Sequence, residues 1–489
     1  MMPFALDTIT TALDREGLLA GVKGHLPESF EAISDDSRKV RPSSLFIAVR
    51  GSTRDGHDYL ERAQELGAAA AMVEDASRTT LPSIIVREGR KAAAVAAGAA
   101  YGDPSRELAM IGITGTNGKS TTAGVLRHLL DKRDARAASI GTLGVLFGSE
   151  AQVVPGGAEL TTPGPVELQR VLRELVDRGV KTVAMEVSSH SLDQRRIDGL
   201  SFDAVVFTNL TRDHLDYHHT MEAYFEAKAR LMDYLKPDGS AAINIDDENW
   251  RRLPDSRKKI LFGVGNHADV RGTEVVFSPA GSEWNLNYQN EKVHIKLPLI
   301  GDVNVHNALG AAAVGIRFGL TLDEIGSALA DLPQVPGRLE VISQSPTVLR
   351  DYAHTPDAIE RALAAVRPFT SGRLILVFGC GGDRDRGKRA EMGKAAEQGA
   401  DLVIVTNDNP RTEDPEQILD DIEKGMLPGR HLRIVKRKAA IQRALDEARP
   451  GDVVVLAGKG HETYQIIGTT KLPFDEKMIV HELLAGSAA

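Results

Sequence analysis

The sequence is short of cysteine, of basic charge and of long apolar runs, and each shortage excludes a class of protein. Cys380 is the only cysteine among 489 residues, which excludes an internal disulfide framework and a cysteine-rich metal site. The net charge is −9 and no basic patch stands out, which argues against a nucleic-acid partner. No apolar run reaches the ~18 residues of a membrane span, and the start of the chain lacks the features of a signal peptide. We therefore expect a cytoplasmic protein without nucleic acid and without membrane insertion.

Length and composition indicate a globular protein of several domains. Domains usually have ~100–200 residues, and 42% apolar with 26% charged residues is ordinary for a globular chain. Short apolar runs alternate with helix-period segments, which favours an α/β architecture with largely parallel sheets. Turn clusters divide the chain into three blocks, residues 1–105, 106–336 and 337–489.

Short apolar runs predict the strands of these blocks. The candidates are Ser44–Val49, Ala68–Val73, Ser83–Val86, Leu108–Ile113, Thr182–Met185, Ala204–Phe207, Leu374–Phe378, Leu402–Thr406 and Val453–Ala457. Helices are predicted over Ala92–Ala100 and Tyr224–Met232. Polar loops follow many of the strands, and ligands of open α/β sheets bind at such carboxyl ends.

The clearest motif is a glycine-rich loop between a strand and a helix. It reads Thr114-Gly115-Thr116-Asn117-Gly118-Lys119-Ser120-Thr121. Its glycines let the backbone approach phosphate oxygens, and the following helix points its first amides at them. Lys119 would neutralise phosphate charge, and Ser120 would hold Mg²⁺. The usual P-loop has a further glycine where this chain has Ile113, and a chance glycine-rich turn is the alternative.

Polar residues end two further strands of the second block. Glu186 follows Thr182–Met185, and His214 comes soon after Ala204–Phe207. An acidic side chain at a strand end beside a P-loop is a candidate Mg²⁺ ligand. Each residue alone is also compatible with an ordinary hydrogen-bonded loop, and for His214 both interpretations stay open.

Lys228 shares a helix face with the apolar residues Tyr224, Leu231 and Leu235. In one interpretation the aliphatic part of the Lys228 side chain packs against these residues and its ammonium group reaches water. The pattern alone favours this interpretation. In the other, burial lowers its pKa, by up to roughly 3–5 units in fully buried cases. The resulting neutral amine is the form that reacts with CO₂ to give a carbamate.

Three polar loops of the third block predict a pocket for an amino acid. They span residues 381–389, 408–411 and 458–462. Arginine forks suit carboxylates, and Glu462 suits an ammonium group. A dinucleotide site is not expected, because Arg384 stands where the fingerprint needs glycine. For residues 385–389 a solvated charge run is the open alternative.

The glycine-rich loop resembles the ATP-binding loop of the Mur ligases and folylpolyglutamate synthetases, and the resemblance to the Mur ligases extends over nearly the whole chain. It implies an α/β fold of three domains: a central P-loop ATPase-like parallel sheet, flanked by an α/β uridine-binding domain and a Rossmann-like C-terminal domain. It also implies ATP and Mg²⁺ as cofactors, and catalytic roles for Lys119, Glu186, His214 and Lys228. Lys228 would be carbamylated and would bind Mg²⁺ together with Ser120, Glu186 and His214.

The resemblance further assigns residues to three ligands. Those implied for ATP are Gly115, Thr116, Asn117, Gly118, Lys119, Ser120, Thr121, Asn304, Asn307, Arg338 and Asp351. Those implied for a UDP-muramoyl dipeptide are Ser37, Ser52, Thr53, Arg54, Thr161, Thr162, Ser188, Gln194 and Arg196. Those implied for the incoming amino acid are Arg384, Asp408, Asn409, Pro410, Arg411, Gly458 and Glu462. Turn chemistry is the alternative for Asp351 and His354, and His306 is left unassigned.

The run Asp408-Asn409-Pro410-Arg411 is similar to a signature of the Mur ligases that add meso-diaminopimelate, in which the arginine pairs with the carboxylate that lysine lacks. The resemblance implies a monomeric ATP-dependent ligase that adds meso-diaminopimelate to UDP-N-acetylmuramoyl-L-alanyl-D-glutamate through an acyl phosphate, in peptidoglycan precursor synthesis. Three alternatives stay open. They are a folylpolyglutamate synthetase, a P-loop ATPase or kinase, and a nucleotide-binding regulator without chemistry.

Overall fold

The protein is described by a computed structural model that covers residues 3–51, 54–133, 136–157, 160–255, 258–278 and 280–486. Its strands form three large sheets, one after another along the chain, and two small two-stranded sheets. The three large sheets have five, eleven and six strands. The α/β class predicted from the sequence is therefore confirmed.

The first sheet occupies residues 19–86. The elements up to residue 105 are strands β1 Phe4–Ala5, β2 Leu19–Lys23, β3 Ser29–Phe30, β4 Ala32–Ser34, β5 Ser44–Ile47, β6 Ala68–Val73 and β7 Ser83–Val86, and helices α1 Leu6–Arg15, α2 Leu60–Glu65 and α3 Gly89–Ala100. The strand order is β2-β7-β6-β5-β4, with β2 antiparallel to β7 and the other pairs parallel. Strand β5 ends at Ile47, two residues before the predicted end, because the carbonyl of Val49 accepts a hydrogen bond from the turn residue Gly56 at 2.8 Å.

The second sheet has a parallel centre and antiparallel edges. Its strands are β8 Ala109–Thr114, β9 Ala137–Gly141, β10 Gly144–Phe147, β11 Gln152–Val154, β12 Thr182–Glu186, β13 Phe202–Phe207, β14 Leu235–Asn244, β15 Lys258–Gly263, β16 Val270–Ser278, β17 Gly281–Tyr288 and β18 Glu291–Leu297. The order is β11-β10-β9-β12-β8-β13-β14-β15-β16-β17-β18. Neighbours from β9 to β16 are parallel, so the carboxyl ends of the adjacent strands β12, β8 and β13 meet at one edge.

Helices cover both faces of this sheet. They are α4 Lys119–Lys132, α5 Pro165–Asp177, α6 Ser189–Asp193, α7 Leu215–His218, α8 Met221–Ala229, α9 Asp302–Arg317 and α10 Leu322–Ala330. Ile111 and Ile113 of β8 are buried on one face and Met110 on the other, in two separate apolar clusters. The helix predicted over Tyr224–Met232 begins at Met221 because the Thr220 side chain accepts a hydrogen bond from the Ala223 amide at 3.1 Å.

The third sheet is parallel except for one edge strand. Its elements are strands β19 Glu340–Gln344, β20 Thr347–Asp351, β21 Leu374–Phe378, β22 Leu402–Val405, β23 His431–Arg433 and β24 Val453–Ala457, the hairpin β25 Tyr464–Ile467 with β26 Thr470–Pro473, and helices α11 Pro356–Val366, α12 Lys388–Gly399, α13 Pro415–Glu423, α14 Arg437–Glu447 and α15 Glu476–Gly486. The order is β19-β20-β24-β21-β22-β23, with β19 antiparallel to β20. The loops after β20, β24, β21 and β22 therefore leave from the same edge.

No helix among the described residues is both long enough and apolar enough to cross a membrane.

Candidate active site

The glycine-rich loop joins the end of β8 to the start of α4, as predicted. Gly115 has a φ of 148° and Gly118 a φ of 87°, both in the region that favours glycine. A side chain at Gly115 would collide with the Thr208 hydroxyl, and one at Gly118 with the Asn307 side chain. Both glycines are therefore required by the close approach of neighbouring residues.

The loop is braced by the residues that follow β13. The Asn209 side chain accepts a hydrogen bond from the Asn117 amide at 2.9 Å and donates one to the Asn117 carbonyl at 3.1 Å. The Thr208 hydroxyl donates to the same carbonyl at 2.6 Å, and the Thr116 amide donates to the Asn209 carbonyl at 2.7 Å. Sequence reasoning did not assign Thr208 and Asn209, although they follow a predicted strand in the order that would bring them here.

Two lysine side chains meet at one carbonyl of this loop. Lys119 Nζ donates to the carbonyls of Gly115 and Thr116, each at 2.7 Å, and Lys228 Nζ donates to the Gly115 carbonyl at 2.8 Å. Lys228 is 1% exposed and its Nζ lies 4.6 Å from the centre of the Tyr224 ring. The interpretation in which its head reaches water is therefore wrong.

Burial lowers the pKa of both lysines. Burial lowers the pKa of Lys119, although the charges of Glu186 and Asp213 oppose the shift. Burial, together with the nearby Lys119 charge, holds the pKa of Lys228 well below its usual range. The shift is toward the neutral amine that carbamylation requires.

Glu186 is buried at the end of β12, next to the loop. Its carboxylate accepts hydrogen bonds from the Thr142 amide at 2.8 Å and the Thr142 hydroxyl at 3.3 Å. The Thr142 hydroxyl also lies 3.2 Å from that of Thr161, a residue implied for the dipeptide substrate. Thr142 was not predicted, because it follows a strand that the sequence pattern did not single out.

His214 precedes α7 and lies in a group of aromatic rings. Its ring centre is 4.8 Å from that of His190 and 6.2 Å from that of Tyr224. The side chain is 45% exposed, and burial of the rest, opposed by Asp213, lowers its pKa to about 4. A neutral imidazole at neutral pH can accept a proton or bind a cation.

Four residues implied for the dipeptide form one hydrogen-bonded chain. Arg196 donates to the Thr162 carbonyl at 3.1 Å and to the Gln194 side chain at 2.6 Å. The Thr162 hydroxyl accepts from the Ser188 amide at 3.1 Å and donates to the Glu186 carbonyl at 2.9 Å. The chain therefore connects these residues directly to the strand end that carries Glu186.

A cavity of about 710 Å³ opens between the first sheet and the loop before α5. Its lining includes Ser37 and Arg54, which the resemblance implied for the nucleotide sugar, and the charged residues Asp35, Arg38 and Lys39. The two other residues predicted there, Ser52 and Thr53, lie outside the described residues.

A second cavity, of about 460 Å³, adjoins the glycine-rich loop and contains Asn307 in its lining. Asn307 donates to the side chain of the buried Asn304 at 3.2 Å. His306 also lines it, and both ring nitrogens lie 2.9 Å from acceptors, the Asp302 carbonyl and the Asp246 carboxylate. Burial opposes protonation of His306, but these hydrogen bonds outweigh it and raise its pKa.

The third block reaches the loop through Arg338. Its guanidinium donates to the Ser120 hydroxyl at 3.2 Å and stacks over Tyr352 at 4.7 Å. The Asp351 carboxylate instead accepts hydrogen bonds from the amides of Leu339 and Ala353, at 2.7 and 2.8 Å, so it braces the turn that carries Arg338. These hydrogen bonds support the turn interpretation of Asp351. Its implied role toward ATP stays a prediction.

A second contact between the blocks was not predicted. The Asp357 carboxylate, in the first turn of α11, accepts hydrogen bonds from the Asn117 side chain at 3.3 Å and the Thr211 hydroxyl at 3.1 Å. No local sequence pattern marks this contact, because its partners lie 240 and 146 residues away.

The three loops predicted for the amino acid do come together. Asn409 donates to the Glu462 carboxylate at 2.9 Å, and Glu462 also accepts from the buried Lys459 at 3.0 Å. Arg411 donates to the Gly382 carbonyl at 2.7 Å. Arg384 is exposed, and it donates to the Asp383 carbonyl at 3.4 Å. The junction of these three loops, called the amino-acid pocket below, thus contains the Arg411 guanidinium and the Glu462 carboxylate.

Gly458 and Pro410 take part in the same junction. A side chain at Gly458 would lie 2.5 Å from the Asp408 carboxylate, and one at Gly382 would collide with the Pro410 carbonyl. The charge run at residues 385–389 is only partly solvated, since Arg389 is buried and pairs with Glu413 at 3.0 Å.

Together, these features define an α/β protein with a strand–loop–helix site suited to nucleotide phosphate and a separate group of cationic and anionic side chains in the third block. Family models agree in detail. The Mur ligase family catalytic domain matches residues 29–110, the Mur ligase middle domain residues 113–315, and the Mur ligase glutamate ligase domain residues 337–460. The chain belongs to the Mur ligase family, and it is an ATP-dependent ligase that forms an amide bond.

Several known proteins resemble this chain over nearly its whole length. UDP-N-acetylmuramoyl-L-alanyl-D-glutamate–2,6-diaminopimelate ligase of Geobacter metallireducens is 44% identical over 93% of this chain and 94% of that protein. The ligase of the same name from Geobacillus thermodenitrificans is 42% identical over 92% and 93%. A solved structure of a ligase with that name is 33% identical, with a TM-score of 0.68 and full coverage of both chains. A Mycobacterium tuberculosis folylpolyglutamate synthase, 20% identical with a TM-score of 0.63, shares the fold over 75% of this chain and 92% of its own.

Proposed function

We propose that the protein joins meso-diaminopimelate to UDP-N-acetylmuramoyl-L-alanyl-D-glutamate with consumption of ATP, in peptidoglycan precursor synthesis. The observation that carries the proposal is the junction of three loops that brings the Arg411 guanidinium and the Glu462 carboxylate into one region of the third block. Its arginine and carboxylate suit a substrate with both carboxylate and ammonium groups. The full-length similarity to ligases with that name supports the same substrates.

The proposed reaction needs ATP because an amine does not displace oxide from a carboxylate. Phosphoryl transfer from ATP to the substrate carboxylate gives an acyl phosphate and ADP. The amine of diaminopimelate then attacks the carbonyl carbon, and the tetrahedral intermediate expels phosphate. Lys119, in the loop, and Arg338, beside it, would bind the phosphoryl group and the substrate carboxylate and so offset the repulsion between these two anions.

A Mg²⁺ ion is proposed at Ser120, Glu186, His214 and the carbamate of Lys228. No cluster of three or more His, Cys, Asp or Glu residues among those described could hold a metal by itself. Hydroxyl and carboxylate oxygens nevertheless suit Mg²⁺, and the depressed pKa of the buried Lys228 favours the amine that carbamylation would convert into an oxygen ligand. When bound, the ion would offset charge on the transferred phosphoryl group. The proposal therefore rests on the donor chemistry of these residues and on the buried amine of Lys228.

Domain boundaries at residues 105 and 336 are part of the same proposal, and the separate sheets of residues 19–86, 109–297 and 340–457 support them. Ser37, Ser52, Thr53 and Arg54 are proposed for the nucleotide sugar, and Asn304 and Asn307 for the adenosine end of ATP. A monomeric state is part of the same proposal. Its nucleotide substrates suit a cytoplasmic enzyme.

The test is ADP release by the purified protein with ATP, Mg²⁺ and the UDP-muramoyl dipeptide. We expect release only when meso-diaminopimelate is added, and little with lysine. Equal release with lysine would contradict the substrate assignment. Release without any amine would favour an ATPase or kinase, and ATP binding without turnover would favour a regulator. Glutamate addition to a folate would favour a folylpolyglutamate synthetase.

A further inference from the structure

Two loops of the amino-acid pocket begin at strands that do not pair with each other. Strand β22 leads into Asp408 and β24 leads into Gly458, but β21 lies between the two strands. Neighbouring strands are about 4.8 Å apart, so the two loop starts are separated by two such spacings. The hydrogen bonds of the sheet do not join these two loops directly.

The guanidinium of Arg437 joins them. Its Nη2 donates to the Ala457 carbonyl at 2.8 Å and its Nη1 to the Asn407 carbonyl at 3.3 Å. Ala457 and Asn407 directly precede the two loop residues Gly458 and Asp408. Since the guanidinium is planar and rigid, this one group fixes the positions of the two carbonyls from which the loops begin.

Glu476 holds this guanidinium from the last helix. Arg437 Nε donates to Glu476 Oε1 at 2.7 Å, and both side chains are 0% exposed. The second carboxylate oxygen, Oε2, is buried and has no hydrogen-bond partner among the described residues. A buried ion pair is weak evidence for stability, because desolvation offsets the attraction between the charges. Its effect on the geometry of the loops is the more specific consequence.

The loops leave little room for a change in spacing. A Cβ atom at Gly458 would lie 2.5 Å from the Asp408 carboxylate, and one at Gly379, directly after β21, would collide with the Thr406 carbonyl. Glu462 also accepts a hydrogen bond from Asn409, which connects the same two loops at their substrate side. A shift at Arg437 would therefore be transmitted to the groups that face the amino acid.

We infer that Arg437, oriented by Glu476, is a positioning residue that fixes the spacing of the Asp408 and Gly458 loops and so sets affinity and selectivity for the amino-acid substrate. The inference rests on the proposed function, because it takes this pocket to be the amine site. The substrate needs a carboxylate partner on one loop and an ammonium partner on the other, and misplacement of about 1 Å can cost about a hundredfold in rate.

The decisive variant replaces both charges together, Arg437→Met with Glu476→Met. It leaves no unpaired buried charge and keeps side-chain bulk, so we expect it to fold. The KM for the amine should rise at least about tenfold while the KM for ATP changes less than about twofold. The preference for diaminopimelate over lysine should fall. Arg437→Lys keeps the charge but replaces the rigid planar fork with a single ammonium group, and it should give a smaller rise in the same KM.

Arg373→Met is the matched control. Arg373 donates to Asp452 at 3.0 Å and joins the starts of β21 and β24 at the opposite edge of the sheet. We expect it to lower the thermal midpoint and to leave both KM values unchanged.

If the double variant has the same KM for the amine as the wild-type protein, the inference is overturned, whatever the thermal midpoint of the variant. If the double variant does not fold, Arg437→Lys decides by the same comparison. Turnover of wild type with a different amine would contradict the proposed function alone, and the KM comparison would then use that amine. If the wild-type protein uses no amine at all, both the proposed function and this inference are overturned.

Discussion

The nucleotide loop and the amino-acid pocket both lie at the carboxyl ends of parallel strands, but they are constructed differently. The loop is one continuous segment, residues 114–121, braced by the end of the neighbouring strand β13. The pocket combines three loops, residues 381–389, 408–411 and 458–462, with a buried ion pair beneath two of them. Under the proposed function, the phosphate-binding loop is encoded locally, whereas the choice of amine would depend on how separate segments are spaced.

The largest expected effect comes from the loop. Lys119→Ala should lower kcat about a thousandfold, because it removes the cation that is proposed to offset charge on the transferred phosphoryl group. The measurement is ADP release at saturating substrates. Lys132→Ala, at the other end of the same helix and on the surface beside Asp331, is the control and should leave kcat unchanged. A Lys119 variant within about tenfold of wild type would contradict the role given to the loop.

Lys228→Ala should lower kcat about a hundredfold, less than the loop lysine, because it removes an indirect contribution to phosphoryl transfer. If a carbamate acts at this position, a short carboxylic acid that enters the buried space left by the lysine should restore part of the rate. The measurement is ADP release with increasing formate or acetate.

The same acids distinguish the roles of the two lysines that donate to the Gly115 carbonyl. They should not restore Lys119→Ala, because that side chain is proposed to act as a cation. Recovery of both variants, or of neither, would argue against the carbamate.

The smallest expected effect concerns His306, which lines the cavity beside Asn307. Its ring is held by Asp246 and the Asp302 carbonyl, so it would present a flat, fixed surface to a base bound in that cavity. His306→Ala should raise the KM for ATP about threefold to tenfold with kcat unchanged, as expected for the loss of one aromatic contact.

His306→Phe is the control for this contact, because it keeps a ring and loses both hydrogen bonds. It should retain more of the ATP affinity than His306→Ala. Equal KM values for the two variants would show that the ring itself does not contact the nucleotide.

Much of the fold was predictable from the sequence because its strands are short apolar runs with buried side chains. Strands Ala68–Val73, Ser83–Val86, Leu374–Phe378 and Val453–Ala457 were predicted with the bounds that they have in the structure. Apolar runs do not reveal strand order, however, and order decides which loops meet. The glycine-rich loop needed no knowledge of order, since its strand, loop and helix are consecutive.

The residues that sequence reasoning missed are those whose partners are far away in the chain. Thr142 holds Glu186, Asp357 contacts Asn117, and Arg437 spans two loops. Each acts through two or three hydrogen bonds that no periodicity or motif marks. Lys228 shows the opposite limit, because its helical pattern was visible but could not distinguish a buried amine from one that reaches water.

The most direct test of the contrast between the two regions is the ratio of kcat/KM for meso-diaminopimelate to kcat/KM for lysine in Arg411→Ala. Loss of a charge-assisted hydrogen bond to the distal carboxylate should lower this ratio about tenfold to a hundredfold. The KM for ATP should stay at the wild-type value, because the nucleotide loop is constructed separately. An unchanged ratio, or an equal rise in the KM for ATP, would contradict the assignment of amine choice to the C-terminal pocket.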